Sequence, residues 1–301
     1  SDYVDVSGVP RGIMELDKET YLHRSGSYRF VYRRTSIWKD KETENCWRLS
    51  RVEFVNSAGQ IQEDNDIRLN RRYAIQKLEY DNSSGNLKHI DFCNKYGKVL
   101  LRWKISDRGE DKAVIIDFLG VTEMDASGYH SNTEVVYPHA MRNSSRSPIK
   151  RYILTRDANG YITSISYHEN NSKNAQLSKI ADINGIHKEI FTTDSLGRRL
   201  SATYYDINGA KAERKDGVAS ECYEYDERGN MVVHECFDLE GAPVLNQNLY
   251  AKMTTEFDCW GNAVTTRYYG ANGEPCYNRE CITQQQVEFD DRGFPTSIAY
   301  L

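Results

Sequence analysis

One turn signature recurs along this chain and limits what it can become: an aromatic residue, Asp, two variable residues and Gly. It is read as EYDERGN at Glu224 to Asn230, FDLEG at Phe237 to Gly241, FDCWGN at Phe257 to Asn262, YGANG at Tyr269 to Gly273 and FDDRG at Phe289 to Gly293. The first turn residues, Asp226, Asp238, Asp258, Gly270 and Asp290, stand 12, 20, 12 and 20 residues apart, which defines a 32-residue unit of one short and one long step. A unit of that size cannot bury an apolar face alone, so its copies must stack on one another. Less regular copies precede these at Asp157 to Gly160, Asp182 to Gly185, Asp194 to Gly197 and Asp206 to Gly209. LNRRYAIQKLEYD at Leu69 to Asp81 also aligns with the long step at Leu245 to Asp258, with Tyr73 and Tyr250 each eight residues before the turn Asp. NSAG at Asn56 to Gly59 hints at degenerate copies earlier still.

Each copy reads as a turn between two strands. Asp at the first position accepts hydrogen bonds from backbone two residues on, and Gly at the fourth supplies the positive φ that closes a tight turn. The stretches between turns, such as MVVHECF at Met231 to Phe237 and AVTTRYY at Ala263 to Tyr269, are rich in Val, Thr, Tyr and Phe at a rough period of two, which predicts strands. A 12-residue step is a four-residue turn plus about eight residues of strand, as in an antiparallel meander. The long step is expected to add a loop with one irregular turn. The predicted fold is all-β, an antiparallel meander of repeated hairpins forming an extended or curled single sheet, with the regular period favouring the elongated form. Residues 1–70 are expected to be a cap or degenerate repeats, and 71–301 the repeat region.

Composition excludes several classes. The 44 acidic and 39 basic residues are interspersed and sum to −5, so no single-sign field points to nucleic acid. The basic clusters, Arg33, Arg34, Lys39 and Lys41, and Arg68, Arg71 and Arg72, read as strand edges where cations discourage edge pairing. Seven Cys with no C-x-x-C pair, and seven His with no paired ligand spacing, indicate no metal and no cofactor. No apolar run is long enough to insert in a membrane.

Catalytic signatures are lacking. Glu224, Glu235 and Glu256 supply carboxylates of the kind glycosidases pair, yet the repeat places each on a strand facing solvent. No G-x-S-x-G, Walker or G-x-G-x-x-G motif is present. EDNDI at Glu63 to Ile67 could offer oxygens to Ca²⁺, but an Asx turn explains it without an ion. Aromatic residues are the better binding candidates. Tyr204, Tyr205, Tyr268, Tyr269 and Trp260 fall at or beside successive turns and could line one face for a glycan or a protein segment, or stack as a cross-strand ladder. Adjacent tyrosines on a strand must point to opposite faces.

With Tyr80-Asp81, Tyr205-Asp206 and Tyr225-Asp226, and with Gly229-Asn230 and Gly261-Asn262 completing the motif, the chain resembles the bacterial YD-repeat, or RHS-like, family. The alternating steps, with Pro243 and Pro275 after the second Gly, look like an uncharacterised branch of it. The resemblance covers the chain from about Leu69 onward and implies β-sheet spirals acting as shells or surface scaffolds, some enclosing a toxin domain; no toxin-like segment follows the last copy here. The expected role is therefore a non-catalytic interaction or structural scaffold within a larger, exported or surface-associated bacterial protein, with a protein or glycan partner. Alternatives are a carbohydrate-binding module, and an enzyme whose site lies in the long loops or the N-terminal segment.

Overall fold

The computed structural model describes residues 2–4, 10–12, 15–39, 42–62, 73–83, 87–108, 113–119, 151–159, 161–170, 177–182 and 184–301. Glu63 to Ile67, Lys41, Arg68, Arg71, Arg72 and Gly160 lie outside them. A short pair, β1 (Asp2–Val4) and β2 (Pro10–Gly12), precedes a five-residue helix, α1 (Lys18–Leu22). The strands that follow are β3 (Ser27–Lys39), β4 (Glu42–Val55), β5 (Ile75–Tyr80), β6 (Leu87–Cys93), β7 (Val99–Arg108), β8 (Ala113–Leu119), β9 (Arg151–Arg156) and β10 (Ile162–Asn170). Then come β11 (Leu177–Lys179), β12 (Lys188–Thr193), β13 (Arg199–Tyr205), β14 (Ser220–Tyr225) and β15 (Met231–Phe237). The last four are β16 (Lys252–Phe257), β17 (Ala263–Tyr269), β18 (Gln284–Phe289) and β19 (Pro295–Tyr300). From β3 to β19 each strand pairs antiparallel with the next, except that β11 pairs only with β10, which also pairs with β12.

The turns explain this regularity. At Asp258, Oδ1 accepts from the backbone N–H of Trp260 (2.9 Å) and Asn262 (2.8 Å), while Gly261 N–H donates to the Asp258 carbonyl (3.1 Å). Gly261 has φ +87°, and the ladder shifts register between Glu256 and Phe257, as a glycine bulge requires. The same hydrogen bonds recur at Asp194 and Asp290, and at Asn56 near the N-terminus. The aromatic before the turn has its own task. Tyr80 and Tyr225 donate to backbone carbonyls of the preceding unit, Leu49 (2.8 Å) and Arg199 (2.9 Å), and each ring lies 4.9 Å from a guanidinium, of Arg48 and Arg198 respectively.

The long step corrects the expectation of one irregular turn. It holds two regular turns in succession, the second built at Arg214, Asn246 and Asn278 with N–H···O bonds from Gly217, Leu249 and Cys281 of 2.8, 2.8 and 2.9 Å. Leu249 (φ +65°) and Cys281 (φ +60°) stand where Gly217 stands one unit earlier, so a search for glycine overlooks them. Successive second turns are bonded to one another: Gln247 N–H reaches Asp216 Oδ2 (3.0 Å) and Arg279 N–H reaches the Asn248 carbonyl (2.9 Å). Because antiparallel strands alternate direction, the long steps between β12 and β19 project from one rim of the sheet and the short turns between them from the other.

Of the two forms expected, the sheet is curled. Tyr73, Ile90 and Phe92 of the early strands share one core with Leu154, Ile165, Tyr167, Phe191 and Tyr204 of later ones. Burying two such rows against each other removes apolar surface that a flat sheet would leave wet. The strands follow one another as around a barrel. Among the described residues, however, no ladder joins β19 to β3, and all six residues of β19 are exposed, so the sheet is an open coil with a free last strand. Its ends meet through other contacts. His23 stacks on Trp260 at 4.3 Å, and Asn262 accepts from Ser25 N–H and donates to the His23 carbonyl, both at 2.9 Å. A Cβ at Gly293 would lie 2.5 Å from backbone atoms of His23 and Arg24. The segment after α1 thus sits on the short-turn rim of β16–β19. Among the described residues no helix is long and apolar enough to cross a membrane.

Candidate functional site

The inner face carries columns of side chains spaced 32 residues apart. Ile186, Val218 and Tyr250 form one column, all buried. Tyr204, Cys236 and Tyr268 form another, the first two buried and the third half-buried. A third column is anomalous: two carboxylates, Glu189 and Glu221, occupy the inward position that Met253 and then Gln285 take in the later units. Burying a carboxylate costs several kcal/mol unless partners surround it, so the environment of Glu221 is the informative one.

Glu221 on β14 stands directly opposite Cys236 on β15, and His234, two residues earlier on the same face, stands opposite Tyr223. Glu221 Oε2 accepts from the hydroxyls of Tyr204 (2.7 Å) and Tyr223 (2.6 Å), and Oε1 accepts from Arg214 Nη1 (3.0 Å). Arg214 comes from the second turn of the long step and also grips Asp216 through Nε (3.1 Å) and Nη2 (2.9 Å). His234 stacks on Tyr223 at 4.9 Å. Its Nδ1 is 3.2 Å from the Tyr250 hydroxyl, and its Nε2 faces both Glu221 Oε1 (3.6 Å) and Cys236 Sγ (3.7 Å). Asn246 Nδ2 donates to Cys236 Sγ at 3.5 Å. One unit back the theme repeats in simpler form, with the Tyr167 hydroxyl donating to buried Glu189.

Burial dominates the electrostatics. It raises the Glu189 carboxyl, tempered by the Tyr167 hydrogen bond, and lifts Tyr204 and Tyr223 well above an ordinary phenol, with the charge of Glu221 adding to both. Tyr225, nearer the rim, is pushed up to about 12 by burial. Burial opposes the charge on Arg214, but Glu221, Tyr204 and Asp216 more than compensate and keep it protonated. Burial and then Glu221 push the Cys236 thiol far up, which denies it the thiolate a nucleophilic cysteine needs.

The aromatic residues singled out in the sequence are dispersed. Tyr204 is buried against Glu221, and Tyr268 faces the same interior, its ring 5.3 Å from that of Tyr250. Tyr205 and Tyr269 are half-buried partners of Lys188 and Lys252 across the ladder, and Trp260 is taken up by His23 on the short-turn rim. Glu224 and Glu256 are exposed, and Glu235 is 2.9 Å from Lys252. The buried cluster escaped the sequence reading, although one signal was available: 32-residue alignment sets the acidic Glu189 and Glu221 in register with the apolar Met253 of a core column.

No family model matches the chain, and no curated protein matches it. Among solved structures it is similar to the crystal structure of TcdB2-TccC3 without its hypervariable C-terminal region, at 10% identity and a TM-score of 0.19. That likeness covers 87% of this chain, which spans 16% of the other.

Proposed function

We propose that this chain is a non-catalytic scaffold that displays a protein-binding surface along its long-step rim. One observation carries the reading: apolar side chains recur in exposed positions 32 residues apart on that rim. Ile207 and Leu239 occupy the same place in successive first turns, and Leu245 and Tyr277 the same place beside successive second turns, all exposed. A periodic row of exposed aliphatic and aromatic groups suits an extended partner segment. A protein partner is favoured over a glycan because the rim offers mainly aliphatic side chains, whereas sugar recognition uses flat aromatic faces, and the tyrosines Tyr204 and Tyr268 face inward. The Tyr-Asp and Gly-Asn signatures support kinship with YD-repeat scaffolds of bacteria.

The test compares wild type with a variant carrying Ile207→Ser, Leu239→Ser, Leu245→Ser and Tyr277→Ser, both checked for fold by circular dichroism. Partners cross-linked to wild type and lost from the variant support the reading. Equal capture by both proteins contradicts it, as does saccharide binding that quenches Trp fluorescence in both.

A further inference from the structure

We propose that Glu221, His234 and Cys236 bind a zinc ion in the interior of the sheet. The three ligand atoms lie within 4.8 Å of one another, and they are an oxygen, a nitrogen and a sulfur, a mixed donor set that suits zinc better than calcium or magnesium. A tetrahedral zinc about 2.1 Å from N and O and about 2.3 Å from S needs N–O and N–S separations of roughly 3.4 and 3.6 Å. His234 Nε2 stands 3.6 Å from Glu221 Oε1 and 3.7 Å from Cys236 Sγ, within a few tenths of an ångström of those two separations, and the carboxylate oxygen and the sulfur lie within 4.8 Å of each other.

The surrounding groups are those that orient metal ligands. Contact of His234 Nδ1 with the Tyr250 hydroxyl lets that nitrogen carry the ring proton, which leaves the Nε2 lone pair aimed between carboxylate and sulfur. The Tyr204 and Tyr223 hydroxyls occupy Oε2 and leave Oε1, which Arg214 shares; a carboxylate oxygen has lone pairs for both a guanidinium and a metal. Asn246 donates to the sulfur, a contact that strengthens as the thiol becomes a thiolate. A water fills the fourth position.

Charge supports the same conclusion. Asp216 and Glu221 carry two negative charges against one positive charge on Arg214. Zinc binding displaces the Cys236 proton to solvent, Cys–SH + Zn²⁺ → Cys–S–Zn⁺ + H⁺, so the site then holds three positive and three negative charges. A high thiol pKa is no obstacle, because a bound metal deprotonates its sulfur ligand outright.

The experiment uses chelator-treated full-length protein titrated with zinc and with cobalt(II). The proposal expects one tightly bound ion per chain, one proton released, a sulfur-to-cobalt charge-transfer band, and X-ray absorption of the zinc form showing one sulfur with nitrogen and oxygen neighbours. Cys236→Ser and His234→Gln should weaken binding by more than the roughly 10–100-fold expected when Tyr250→Phe removes an outer partner. Cys259→Ser with Cys281→Ser, both exposed, should leave it unchanged. Folded wild type that takes up no ion overturns the proposal. So does zinc bound through no sulfur or several, or binding indifferent to Cys236→Ser. Should the ligand variants not fold, the wild-type X-ray absorption spectrum decides alone.

Discussion

The unit spanning β13 to β15 and the unit spanning β17 to β19 share the same succession of turns, 64 residues apart, and yet are filled differently. In the first, Glu221, His234 and Cys236 are buried in a polar cluster; in the second, the equivalent Gln285 is half-buried and Ile298 and Tyr300 are exposed. The backbone is therefore specified by turn chemistry and ladder pairing, which both units keep. The inner face is free to specialise where later strands cover it, and only the covered unit has to satisfy buried charge.

Exchanging residues between the units sharpens that contrast. Glu221→Ala leaves Arg214 with Asp216 as its remaining carboxylate partner and takes the acceptor from the Tyr204 and Tyr223 hydroxyls, and should cost about 2–4 kcal/mol in urea unfolding, whereas Gln285→Ala should stay within about 0.5 kcal/mol. Equal losses at both positions would break the comparison. Among the turn glycines, Gly209→Ala meets nothing within 4 Å and should cost only the roughly 1–2 kcal/mol of left-handed backbone. Gly293→Ala should cost clearly more, because its Cβ would strike the His23 and Arg24 backbone and lift the N-terminal segment from the rim. Trp260→Ala should lose about 0.5–1.5 kcal/mol beyond its buried area through the stack on His23, measurable by double-mutant cycle with His23→Ala. Leu249→Gly should instead stabilise, by about 0.5–1 kcal/mol, since relief of positive φ exceeds the entropy cost of glycine and the Leu side chain is exposed.

The smallest effect is a pH dependence at Glu189. Its raised folded pKa means that the folded protein keeps a proton that the unfolded chain has already released, in the window between the ordinary glutamate range and the raised value. Stability should fall as pH rises through that window and be unaffected below it, where both states are protonated. Glu189→Gln should flatten this slope in unfolding curves taken across the window.

The strands and the short turns were legible because Asp and Gly declare themselves locally: the hydrogen bonds at Asp258 and Asp290 need only those two residues at fixed spacing. The second turn of each long step was not legible, since Asn246 and Asn278 are followed by Leu249 and Cys281 in the position where glycine was sought. The curl depends on the core that joins Tyr73, Ile90 and Phe92 to Leu154, Tyr167 and Tyr204 of later strands, which no local pattern encodes. The aromatic candidates are dispersed for a related reason. Period two assigns Tyr204 and Tyr205 to opposite faces without saying which is covered, and coverage depends on strands far along the chain.

The central claim is one coiled sheet whose N-terminal segment returns to the short turns of its last units, more than 230 residues away in sequence. Hydrogen exchange at the Ser25 amide, which donates to Asn262 Oδ1, tests it most directly. The account predicts a Ser25 amide protected in wild type and exposed in Asn262→Ala, with the amides of β13 to β15 unchanged in both. Rapid exchange of Ser25 in the folded wild type, or protection that survives Asn262→Ala, would contradict it.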